Sequence, residues 1–116
     1  MITTFGKFCR TLRIERDEFL KDMAKKLGVS PAYLSAVEVG KRNIPEGWTD
    51  ALQKHYHLNE TESEKLKIAV DMSAKQLKMN LANLSDHKKE VAVVFARRLD
   101  ELSEDELKQI FKIIKE

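Results

Sequence analysis

Residues 20–42, LKDMAKKLGVSPAYLSAVEVGKR, decide the fold. Met23, Ala24 and Leu27 share one helical face, at i, i+1 and i+4. Ala24 is small enough to let a second helix approach closely. Gly28 follows the last apolar position, where a left-handed residue ends a helix without steric cost. Val29 is placed to plug the corner. Ser30 is a strong N-cap and Pro31 suits the first helical position, where its fixed φ and missing N–H cost nothing. Leu34 and Val37, three apart, point back to the preceding helix. Gly40 stops the second helix, and Lys41 and Arg42 lie beyond its end. Pro31, Ala32, Tyr33, Ser35 and Ala36 remain on the outward side. One buried face and one small or polar face is the division a helix-turn-helix needs to enter a major groove. The same layout also suits an αα-hairpin used only for packing.

Working outward, the pattern stays helical. Phe5, Phe8, Cys9 and Leu12 recur at i, i+3, i+4 and i+7 and predict a first helix over 4–15. Phe19, in the connection, is expected to cap the core. Residues 42–45 read as extended, because a residue before proline avoids the helical region. A fourth helix is expected from Pro45 to His57, with Trp48, Leu52 and Tyr56 inward. The T-x-x-E box at Thr61–Glu64 predicts a fifth helix over 62–78, with Leu66, Ala69, Val70, Ser73 and Leu77 on one face. Residues 79–84 break the pattern, as a short extended segment or as a loop with buried leucines. Ser85 opens a sixth helix over 86–102 with Val91, Val94, Phe95 and Leu99 or Leu102 inward. Ser103–Glu106 is a second capping box, before a seventh helix carrying Leu107, Ile110, Phe111 and Ile114. The fold class is all-α.

Composition bounds the function. Net charge is only +2 in 116 residues, which argues against a generic polyanion binder. Residues 1–58 hold 10 Lys+Arg against 7 Asp+Glu, a balance of +3, and residues 59–116 hold 11 against 12, a balance of −1. A single cysteine, Cys9, forms no internal disulfide and suggests a reducing interior. With no apolar run near 18 residues and no signal-peptide pattern, a cytoplasmic protein without membrane contact is expected. His55 and His57 stand at i and i+2, which point apart on a helix, so no metal site is expected. No cofactor loop and no Ser/His/Asp arrangement is recognisable, and the chain is not expected to be an enzyme.

SPAYLSAVEVGKR closely resembles the recognition-helix segment of the lambda-repressor-like family of regulators, also called the Cro/XRE family. FGKFCRTLRIERDEFLKDMAKKLG resembles the two preceding helices, and the likeness covers roughly residues 3–58. It implies a five-helix lambda-repressor-like helix-turn-helix fold with a C-terminal helical extension, and places the DNA-binding domain over 1–58 and a helical extension over 59–116. Arg13 and Glu38 stand where family members carry a structural ion pair between the first helix and the recognition helix. The resemblance further implies that residues 30–39 dock in the major groove of a DNA operator. Ser30, Pro31, Ala32 and Tyr33 would meet base edges in the first turn, with Ser35 and Ala36 further along. Lys41, Arg42 and Asn43 would follow the backbone, with Lys21 and Lys25 as further phosphate contacts. The reading face lacks the glutamines of phage relatives, which shifts specificity toward thymine-methyl contacts, hydroxyls and DNA shape. The expected function is a sequence-specific transcriptional regulator, a repressor working as a homodimer through 59–116. Phe111, Ile113 and Ile114 at the terminus would then be covered by a partner subunit. The alternative is an antitoxin or other regulator of this type that masks a toxin or binds an antirepressor.

Overall fold

The computed structural model describes residues 1–115. Among these it is all-helical, with α1 Thr4–Glu15, α2 Leu20–Leu27, α3 Pro31–Glu38, α4 Trp48–Tyr56, α5 Glu60–Ser73, α6 Asp86–Arg98 and α7 Glu104–Lys115, plus a 3-10 turn at Leu99–Glu101. The chain forms two compact units, Met1–Leu77 and the residues from Lys78 onward. The family resemblance places this boundary after residue 58. The difference lies in α5, which packs on α1 with Leu66 and Ala69 buried. It also satisfies a helix end there. The Phe5 N–H, an orphan donor in the first turn of α1, donates to Ser73 Oγ at 2.9 Å.

Local chemistry explains most of the first unit. Thr3 caps α1, its Oγ1 accepting from the Gly6 N–H at 3.0 Å. Gly28 ends α2 at φ 73° and Ser30 caps α3, accepting from the Tyr33 N–H at 3.1 Å. The core is a single cluster in which Phe5, Cys9 and Leu12 of α1 meet Met23 and Ala24 of α2, Leu34 and Val37 of α3, Trp48, Leu52 and Tyr56 of α4, and Leu66 of α5.

Several expected details are corrected. Helix α4 starts at Trp48, not Pro45; Pro45 lies in the turn before it, and Gly47 at φ 86° caps the helix. Helix α5 begins at Glu60, because Asn59 and Glu62 form the reciprocal box at 2.8 and 3.1 Å, two residues ahead of Thr61–Glu64. Asn caps as well as Thr, and this box lets the helix start directly after Leu58. It ends at Ser73 rather than Lys78, where Ala74 turns extended. Phe19 does not cap the core. It is the N-cap of α2, its N–H held by Asp22 at 2.8 Å, and its ring is 71% exposed.

In the second unit, residues 79–84 form a loop with Leu81 and Leu84 half-buried and no strand pairing. Ser85 caps α6, and Ser103 and Glu106 form the expected box at the start of α7, at 2.9 and 3.1 Å. The inward assignment of Val91, Val94, Phe95 and Leu99 does not hold: no residue of α6 or α7 is buried. Two short helices present only two layers, too few to enclose a large side chain.

Candidate nucleic-acid interface

The orientation of α3 is set by its buried side. Leu34 and Val37 are fully buried in the core, and Glu38 carries the main anchor. Arg13 Nη1 donates to Glu38 Oε2 at 2.6 Å and Nη2 to Oε1 at 3.1 Å, a bidentate pair. Arg13 Nη1 also lies 3.2 Å from Met23 Sδ, so one guanidinium joins α1, α2 and α3. Burial opposes the Arg13 charge, but the hydrogen bonds and charge of Glu38 outweigh it and hold the group above its ordinary range. The Glu38 carbonyl oxygen is used as well, accepting from the Thr3 N–H and the Thr3 hydroxyl, both at 2.9 Å. The chain passes so close here that a Cβ on Gly6 would stand 2.3 Å from that same oxygen. Only glycine permits this approach.

Beside this anchor Cys9 is fully buried. Burial, reinforced by Glu38 and partly offset by Arg13, pushes its thiol well above the ordinary range. It stays protonated and is a packing group, not a reactive one. At the α1–α2 turn, Glu18 accepts from the Tyr56 hydroxyl at 2.6 Å and pairs with Lys26. Burial would raise the Glu18 carboxyl, but those two partners hold it below its usual value. Burial and the bond to Glu18 push the Tyr56 hydroxyl upward.

The outward side of α3 follows from this anchoring. Ser30, Pro31, Ala32 and Ser35 are exposed, and Ala36 is half-buried. Ser30 Oγ already serves as cap acceptor and retains its hydroxyl proton for a donor role. Helix α3 closes through the Ala36 carbonyl, which accepts from Lys41 at 2.9 Å and Arg42 at 3.3 Å. Gly40 then takes φ 82° and releases Lys41, Arg42 and Asn43 to solvent. Lys21 is exposed at the start of α2, its Nζ 5.8 Å from the Phe19 ring centroid. Lys25 is exposed on the same helix.

Tyr33 differs from its expected place. It is half-buried, its ring centroid 6.2 Å from that of Trp48 at 59°, and the Arg42 guanidinium carbon lies 4.7 Å from the same ring. Comparison with family models, curated proteins and solved structures returns no match.

Sequence reasoning missed three residues of this region. Thr3 and Gly6 pin the end of α3, and the one available signal was a glycine inside a helical pattern, which costs about 1 kcal/mol relative to alanine unless close packing needs it. Lys75, just past α5, lines the same cleft as Tyr33, Lys41, Arg42 and Asn43. Nothing in the linear pattern links it to them. Among the described residues, no group of three or more His, Cys, Asp or Glu is placed to hold a metal, and no helix is long and apolar enough to cross a membrane.

Proposed function

We propose that the chain is a sequence-specific DNA-binding regulator, a repressor built on a lambda-repressor-like helix-turn-helix, with α3 docking in the major groove. One observation carries this reading. A short helix is anchored rigidly along one side, while its other side is small, free of acidic groups and followed directly by exposed Lys41, Arg42 and Asn43. Ser30, Ala32, Ser35 and Ala36 lie against base edges, and the residues at the exit of the helix follow the phosphates. The test is selection of the full chain against a pool of random duplexes, with footprinting upstream of its own gene. An enriched sequence protected at nanomolar to micromolar protein supports the reading. Uniform weak binding overturns it.

The second unit supports a homodimer. Val91, Val94, Phe95, Phe111, Ile113 and Ile114 are between 38% and 76% exposed. At about 150–200 Å² for a large side chain, they leave on the order of 600 Å² of apolar surface, close to the ~800 Å² each partner gives a standard interface. A groove lined by Phe95, Leu107, Ile110, Phe111 and Ile114 would receive the α7 apolar edge of a second copy. A dimer presents two α3 helices, which matches readout of two half-sites. The same groove is the observation that favours the alternative, an antitoxin-like regulator that masks a partner protein. Purified mass separates them: twice the chain mass supports the dimer, and a stoichiometric second polypeptide the alternative.

A further inference from the structure

Base reading by Tyr33 and backbone contacts ending at Asn43 are what the sequence suggests, and the side-chain geometry points elsewhere. The Tyr33 ring is engaged by Trp48 and by the Arg42 guanidinium. Lys75 lines one cleft with Lys41, Arg42 and Asn43, and no carboxylate lines it. Among the described residues, none of these three cations is in an ion pair. Like charges gathered without a counter-charge repel, and a bound anion relieves that repulsion.

We propose that Arg42 and Lys75 form one clamp on two neighbouring backbone phosphates of duplex DNA, one to each cation, with Tyr33 as the platform that positions Arg42. The proposal rests on the DNA-binding reading above. Arg42 supplies the planar fork that grips two phosphate oxygens, Lys75 a point charge, and Asn43 an amide donor. The aromatic face holds the guanidinium plane in advance, so less side-chain freedom is lost on binding. Dimensions favour a duplex over a small anion. Eight residues of α3 span about 12 Å, and the major groove is about 12 Å wide. With the first turn of α3 at the bases, its exit loop reaches the flanking strand. Lys75 brings the segment just past α5 to the same strand, and thereby makes the end of the first unit part of the binding surface.

The experiment measures Kd against salt for the full chain on its selected duplex, with Lys75→Ala, Arg42→Ala, Tyr33→Phe, Tyr33→Leu and the Tyr33→Leu/Arg42→Ala double variant. Losing one neutralised phosphate lowers the salt slope by ~0.9, which from 1 M to 0.15 M salt is about a fivefold loss of affinity. Lys75→Ala and Arg42→Ala are each expected to show that change on all sequences. Tyr33→Phe keeps the ring face and stays within about twofold of wild type, whereas Tyr33→Leu loses most of what Arg42→Ala loses. The double variant is no weaker than Arg42→Ala alone, because the platform acts only through the guanidinium. Trp48 fluorescence during urea unfolding identifies any variant that fails to fold. An unchanged slope for Lys75→Ala, or losses for Tyr33→Leu and Arg42→Ala that multiply, overturns the clamp while leaving DNA binding intact. Wild-type protein that selects no duplex overturns both.

Discussion

Replacing Glu38 by alanine tests the anchor on which the orientation of α3 depends. The Glu38 side chain is 4% exposed and that of Arg13 9%. The variant removes both carboxylate oxygens, at 2.6 and 3.1 Å from the guanidinium, and leaves Arg13 with Met23 Sδ, a weak acceptor. A charge stranded in this way costs about 3–5 kcal/mol. A domain has about 5–15 kcal/mol in total, so about a fifth or more of its stability is at stake. For a unit of this size the melting temperature falls by on the order of 15–30 °C. Urea unfolding followed by Trp48 fluorescence is the assay, since Trp48 is buried in this core and is the chain's one tryptophan. Glu46→Ala is the reference, an exposed acid in no ion pair among the described residues, with an expected effect within about 0.5 kcal/mol. The Arg13→Met/Glu38→Leu double variant should recover much of the loss, because no charge is then left unpaired. Equal midpoints for Glu38→Ala and Glu46→Ala would refute the reasoning.

Gly6→Ala is expected to destabilise by about 1–3 kcal/mol, although helix propensity alone gives alanine an advantage of about 1 kcal/mol. Its Cβ meets the Glu38 carbonyl oxygen at 2.3 Å, and a melting temperature above wild type would sink the close-approach argument. Glu18 contributes through a carboxyl held below its ordinary value, so its contribution is complete above the unfolded pKa of about 4.3 and is lost as pH falls through the folded value. Glu18→Gln should therefore be less stable than wild type at pH 7 and lose less between pH 5 and 3; parallel stability curves over that range would count against it. Ile114→Glu combined with Phe111→Glu should shift sedimentation from dimer to monomer while the Trp48 unfolding midpoint stays within experimental error. A variant still dimeric at micromolar concentration moves the interface elsewhere.

Much of the helical framework was legible because its signals are local. Ser30, Ser85 and Ser103 cap helices, and Gly28 and Gly40 end them, through bonds and dihedral angles that span three or four residues. The α1 stripe of Phe5, Cys9 and Leu12 was readable from periodicity, and it is buried. Errors arose where two local signals competed. Asn59–Glu62 and Thr61–Glu64 both fit a capping box, and Pro45 and Gly47 both mark the entry to α4. Exposure was harder still. Phe19 reads as core by composition, yet its backbone role as N-cap leaves the ring in solvent.

The sequence by itself determined which segments are helical, which stripe of the first helices is apolar, and that a short helix with a small outward side lies between Ser30 and Gly40. Those properties are encoded within a few residues of one another. Tertiary structure alone decided that Gly6 must be glycine, that α5 belongs with the first four helices, and that the Arg42 guanidinium lies over Tyr33 in one cleft with Lys75. Each depends on groups, backbone as well as side chain, from residues more than 30 positions apart meeting within a few ångströms or in one cleft. No periodicity carries that information, because it is set by how the helices pack and not by how each one forms.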